Sequence, residues 1–227
     1  MLGLYILLNF AVLVIVAWAS AARGWRLALM LFVLGFVVGL ANNLLEAIVF
    51  GVISTSEAMT SAVAAGPLFA VLAIVATFIA RFRDKKHELP SEGGFTPLTL
   101  LGCVMAYEIL YWTAGTLVFP YIADFYATRT LPPTYLVASL QIVRSLVFVA
   151  AAYPLLGTGL RAAPVVLALV YGIIAGIAPL LPDNPYMPSD IRFYHAIEVT
   201  VSNTLFGLIV GWLFNRRTSA PAAPVQA

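Results

Sequence analysis

The sequence predicts an all-α integral membrane protein, a bundle of seven transmembrane helices with the amino terminus outside and the carboxy terminus in the cytoplasm. Three observations carry this prediction. Of 227 residues, 62% are apolar and 10% are charged, against about 25% charged in ordinary globular chains. With a mean hydropathy of +0.99, too little polar surface exists to face water on every side. Apolar runs close to the roughly 20 residues that cross a hydrocarbon core of about 30 Å recur along the chain. Finally, the cations between those runs fall on alternate connections.

The first run, Leu2 to Ser20, has no cation before it and Arg23 and Arg26 after it. That order predicts an uncleaved span, although Ala17-Trp18-Ala19 and Ala19-Ser20-Ala21 resemble small-residue cleavage sites. The second, Leu27 to Phe50, contains Gly35 and Gly39, a spacing that lets a neighbouring helix approach closely. The same stripe continues through Asn42, Asn43 and Glu46, so these polar residues are expected to point into the bundle. The third run is Ser61 to Ala80. The charged connection from Arg81 to Pro97, with Gly93-Gly94, reads as a solvated linker.

The fourth run, Leu98 to Ile122, carries Glu108 among Tyr107, Tyr111 and Trp112. Phe119 to Tyr135 is rich in aromatics and prolines, as is Leu181 to His195, and both connections are expected to be structured caps. The fifth run, Tyr135 to Leu156, holds Gln141 and Arg144. The sixth, Ala163 to Leu181, has Gly172 and Gly176, and the seventh, His195 to Phe214, has Gly207 and Gly211. Residues 1–217 are therefore read as a single polytopic domain. Residues 218–227, small and proline-containing, are read as a disordered tail.

Orientation follows from cation placement, because cytoplasmic loops retain Lys and Arg. Arg23, Arg26, Arg81, Arg83, Lys85, Lys86, Arg161, Arg216 and Arg217 lie on one set of connections, and only Arg129 and Arg192 on the other. A multi-pass protein of the bacterial inner membrane is the expected localisation.

The composition excludes several classes. A net charge of +2 is too balanced for a nucleic-acid surface. The single cysteine, Cys103, rules out a disulfide framework or a Cys-rich metal site. Both lysines lie in the connection after the third helix, so none can hold a retinal inside the bundle. One intramembrane histidine cannot supply bis-histidine haem ligation. No cofactor is expected, and the expected partners are the lipid bilayer and a small-molecule or ion ligand.

Ionisable groups inside a membrane span cost several kcal/mol by insertion scales and face the bundle interior, so each is a functional candidate. Here they are Glu46, Glu108, Arg144, His195 and Glu198, with Asn42, Asn43, Gln141, Ser202 and Asn203 in support. His195, Glu198 and Ser202 share one helix face, and Gln141 and Arg144 are one turn apart. Counting from the helix ends, Glu46 and Glu198 fall in the outer leaflet and Arg144 and Glu108 nearer the middle. Three carboxylates with one guanidinium sum to an excess of negative charge. At least one Glu is then expected to carry a proton, or a cation or protonated His195 to balance it. Arg144 is expected to pair with Glu108 or Glu198.

Carboxylates that change protonation, a fixed guanidinium and orienting amides suit a proton- or cation-linked binding protein or transporter. A three-plus-one-plus-three division of the helices would align the second with the sixth, but the sixth has no counterpart of Glu46 and its asparagines. An intramembrane hydrolase or transferase is the alternative. In it His195 and Glu198 act as base and acid or ligate a metal with a further Glu. A sensor or assembly partner without either activity is the third reading.

Overall fold

The computed structural model describes residues 1–82, 96–127, 129–184 and 186–215. The body of the linker after the third helix, with Arg83, Lys85, Lys86, His87 and Gly93-Gly94, lies outside the described residues. So do Arg216, Arg217 and the tail from 218. Seven helices long and apolar enough to cross a membrane are present among the described residues: α1 (Leu2–Ala19), α2 (Gly24–Val49), α3 (Thr55–Phe82), α4 (Pro97–Ala127), α5 (Thr134–Thr158), α6 (Ala163–Leu180) and α7 (Ser189–Phe214). The chain is an all-α, polytopic membrane protein.

Three helices extend past their expected ends, all on the same side of the bundle. α3 begins at Thr55 and not Ser61, because Ser54 caps it: Glu57 N–H donates to Ser54 Oγ at 3.2 Å and Ser54 N–H to Glu57 Oε2 at 2.7 Å. This reciprocal pair satisfies two donors that a bare helix end leaves open. α4 continues through Pro120 to Ala127, and α7 begins at Ser189, six residues before His195. The two projecting helices hold one another through Tyr121 and Tyr194, whose rings stack at 5.1 Å. Much of what reads as connection in the sequence is therefore helix. The remainder is tied down: Arg192 Nη1 donates to the Pro182 carbonyl at 2.8 Å and Arg129 stacks over Phe125 at 4.1 Å.

α6 occupies the centre and α4 the periphery, since 61% of the most apolar window of α6 is buried against 11% for α4. α6 packs on α1, α2 and α7; α3 packs on α1 and α2; α5 packs on α2 and α4; and α4 packs on α7. The α6–α7 seam uses both glycine pairs expected to mark it. A Cβ at Gly176 would stand 2.9 Å from the Thr200 Cα, and one at Gly207 or Gly211 would run into the backbone of Leu167 or of Ala163 and Pro164. Only glycine lets the helices approach this far.

α2 and α6 each switch to π-helical hydrogen bonding, at Val37–Ala41 and Val170–Ile177. The two segments pack on one another, with Gly39 against Ile174. At the end where the α1–α2 and α5–α6 turns lie, an antiparallel bridge joins Ser20 and Leu160. Its hydrogen bonds are Ala21 N–H to Gly159 O and Arg161 N–H to Ala19 O, both 2.9 Å. The central helices of α1–α3 and α5–α7, α2 and α6, thus meet, as do the first turns of the two three-helix sets, a relation that side-chain polarity in the sequence does not reveal.

Candidate functional site

The polar residues of α2 and α5 come together where these helices pack. Arg144 Nη1 lies 2.7 Å from Glu46 Oε1, with the arginine 4% and the glutamate 22% exposed. The partner is Glu46, not Glu108 or Glu198 as expected. Helix neighbours decide this: α5 packs on α2 before, within and after its π-helical segment. The same Nη1 donates to Gln141 Oε1 at 3.1 Å, the one-turn pair read from the sequence.

A second polar group stands on α7. His195 Nδ1 and Glu198 Oε2 are hydrogen-bonded at 3.0 Å, and Ser202 Oγ donates to the Glu198 carbonyl at 2.8 Å. Because α7 starts early, Glu198 is nine residues from its beginning and not three, or about 14 Å deep at 1.5 Å per residue. Arg144, ten residues into α5, is about 15 Å from that helix's start. The other Glu198 oxygen, Oε1, lies against Gly115 of α4, 3.4 Å from where a Cβ would stand. A Cβ at 115 would stand in van der Waals contact with the carboxylate. Glu46 and Arg144 are within electrostatic range of His195, and with Glu198 they are in range of Tyr111.

α4 supplies the wall between the two groups. Tyr107 lies beside Arg144, its ring centroid 6.0 Å from the guanidinium carbon. It packs on Phe206 at 4.8 Å and Phe148 at 5.6 Å. Tyr171 closes this aromatic floor, with its hydroxyl donating to the Phe148 carbonyl at 2.8 Å. Tyr126, higher on α4, is in electrostatic range of Glu46 and Glu198. In the sequence, Tyr107 and Tyr111 stand out only as neighbours of Glu108, and Tyr126 falls in an expected connection. The helical stripe Tyr107, Tyr111, Gly115 is the signal that could have found them.

Glu108 stands apart, two turns along α4 from Gly115. It accepts from Trp112 Nε1 at 2.9 Å, while its Oε1 is buried without a partner among the described residues. Asn43 only folds back on its own helix, Nδ2 to the Gly39 carbonyl at 3.5 Å. Asn203 is 4% exposed, and Asn42 is 1% exposed. Asn9 of α1, not among the residues expected from the sequence, is fully buried and donates to the Tyr5 carbonyl at 2.8 Å. Among the described residues no three His, Cys, Asp or Glu side chains form a metal shell. His195 and Glu198 are the two that could contribute to one.

The arrangement is chemically able to hold charge at fixed and at variable sites. The guanidinium is sealed and permanently charged. The carboxylates and the imidazole, 12–22% exposed, can exchange protons. No family model, curated protein or solved structure matches the chain.

Proposed function

We propose that the protein is an inner-membrane carrier or binding protein for a small molecule or ion, linked to protons or cations. The observation that carries this reading is the Glu46–Arg144 pair joining α2 to α5, with the His195–Glu198 pair of α7 in electrostatic range. Intramembrane charges are costly and mark ion or solute pathways. A buried pair adds little net stability over apolar residues of similar size, so stability alone does not account for it. Here the pair joins the two three-helix halves, and a change in its protonation would loosen one half from the other.

Two further observations support transport over static binding. Glu46 lies three residues from the end of α2, so the site is taken to open there, on the face with few cations. The opposite face is closed by the Ser20–Leu160 bridge between the halves. By the cation rule the open face is external and the amino terminus is outside. A hydrolase or transferase using His195 and Glu198 as base and acid is the second reading, favoured by their 3.0 Å hydrogen bond.

The test is proton movement in proteoliposomes holding a pH-sensitive dye, under an imposed pH gradient. Flux is expected for the wild type and for Arg161→Leu. It should be lost in Arg144→Leu and reduced at least tenfold in Glu46→Gln. Equal flux in all four proteins, or none above empty liposomes, overturns transport.

A further inference from the structure

We propose that the ligand of this site is a carboxylate, held at the unbonded Nε of Arg144 between α2 and α5 and taken up together with a proton. The inference deepens the reading above and rests on it for the location of the site. It starts from hydrogen bonds that are missing. Glu46 and Gln141 both bond to Nη1 of Arg144. The guanidinium's Nε is buried and makes no bond among the described residues. Gln141 Nε2 and both amide atoms of Asn42 are likewise buried and unpartnered.

These residues are 4%, 0% and 1% exposed, and they line one seam. Asn42 is one turn from Glu46 on the same face of α2, and Gln141 is one turn from Arg144 on α5. α2 packs on α5 before, within and after its π segment. Asn42 is the first residue after that segment, where the wider turn rotates the following residues relative to a regular helix.

The unmet atoms identify the guest. Arg144 Nε offers one N–H proton and the Gln141 and Asn42 amides two each, against a single carbonyl acceptor on Asn42. Such a surplus of donors calls for an acceptor-rich group. The side-on fork of a guanidinium matches the two oxygens of a planar carboxylate. Tyr107 supplies an aromatic wall beside it.

Charge balance adds the proton. A guest carboxylate beside Glu46 places two negative charges on one guanidinium. A proton from solvent onto Glu46 restores neutrality and weakens its hold on Nη1. The other groups in range of Glu46 are Tyr107, Tyr111 and Tyr126 on α4 and His195 on α7. Glu198 is bonded to His195. On α3, Glu57 is tied to Ser54; α1 carries Tyr5, and α6 carries Tyr171, bonded to Phe148.

Calorimetry and thermal shift on the purified protein in detergent test this, with acetate, succinate and laurate as probes and chloride as the ionic-strength control. Acetate or succinate binding shows a water-soluble ligand, and laurate binding alone a fatty acid from the bilayer. Binding is expected to be stronger near pH 6 than near pH 8. In buffers of different ionisation enthalpy it should take up about one proton per anion. Glu46→Gln, neutral at every pH, should bind at about pH 8 at least as well as the wild type does at about pH 6. Gln141→Leu should weaken binding roughly 10- to 100-fold, the value of a hydrogen bond to a charged group.

The proposal is overturned if no carboxylate binds the wild type or Glu46→Gln near pH 6. It is also overturned if Gln141→Leu and Asn42→Leu raise the melting temperature and leave binding intact, which is what atoms solvated by internal water alone would give. Proton flux without anion binding removes this proposal and keeps the transport reading. Anion binding without flux does the reverse.

Discussion

Removing the carboxylate of Glu46 leaves Arg144, 4% exposed, without the one counter-charge in bonding distance among the described residues. Two unit charges 2.7 Å apart attract by about 6 kcal/mol at an effective dielectric constant of 20. Bringing each ion out of water costs several kcal/mol, so the pair nets close to zero. The balance fails when one partner goes. Glu46→Leu strands a guanidinium that stays charged at any accessible pH, and a loss of about 3–5 kcal/mol is expected.

Arg144→Leu strands a carboxylate instead, which can take a proton. At pH 7 that costs at most about 4 kcal/mol for an ordinary glutamate, and the cost falls by about 1.4 kcal/mol for each unit of lower pH. Glu46 is also 22% exposed, which brings the loss below that ceiling. The wild type and the Glu46→Leu, Arg144→Leu double variant should therefore be close in stability, with Arg144→Leu below them and Glu46→Leu lowest. Only Arg144→Leu should recover as pH falls, since protonating Glu46 removes the stranded charge. Reversible unfolding in mixed micelles, followed by the fluorescence of the four tryptophans, measures all four proteins. If Glu46→Leu proves no worse than Arg144→Leu, or the double variant proves worse than Glu46→Leu, the pair is not the buried unit described.

The α6–α7 seam gives a steric prediction in the same assay. Gly207→Ala and Gly211→Ala should each lose about 1–3 kcal/mol because the opposing atoms are backbone and cannot turn away. Gly66→Ala, with nothing within 4 Å of its Cβ, should be neutral or gain up to about 1 kcal/mol. Equal effects would mean that α6 and α7 are not in backbone contact. The bridge between the halves predicts that Ser20→Cys with Leu160→Cys, in a Cys103→Ser background, forms a disulfide, because residues opposite each other without mutual hydrogen bonds have Cα atoms about 4.5 Å apart. If the halves separate during transport, oxidation should stop proton flux and reduction restore it. Unchanged flux in fully oxidised protein would show that this end does not open.

Much of the bundle is legible from composition, because lipid imposes one rule on every span: close the backbone hydrogen bonds within the helix and present apolar side chains. That rule finds all seven helices and misplaces the ends of α3, α4 and α7. There the determinants are local, a Ser54–Glu57 capping box and a tolerated Pro120, and the residues are polar or aromatic as the interface requires. Relations within one helix were legible as well. His195 with Glu198 and Gln141 with Arg144 follow from helical spacing, and the glycine pairs mark a close seam.

What spacing cannot carry is contact between helices. Arg144 has three glutamates in other spans to choose from, and every one satisfies the same charge argument. Packing of α5 on α2 selects Glu46, and packing of α4 on α7 gives Glu198 its place against Gly115. The π segments are invisible for a related reason: they are a choice of hydrogen-bond register in apolar sequence, settled by the helix on the other side. The amino-acid sequence alone determined that the chain spans a membrane seven times and which polar groups it carries inside. Only the tertiary structure decided which of them meet, because in a bilayer the hydrophobic effect drives each helix into lipid but does not choose its neighbour; close fit and hydrogen bonding between particular faces do that.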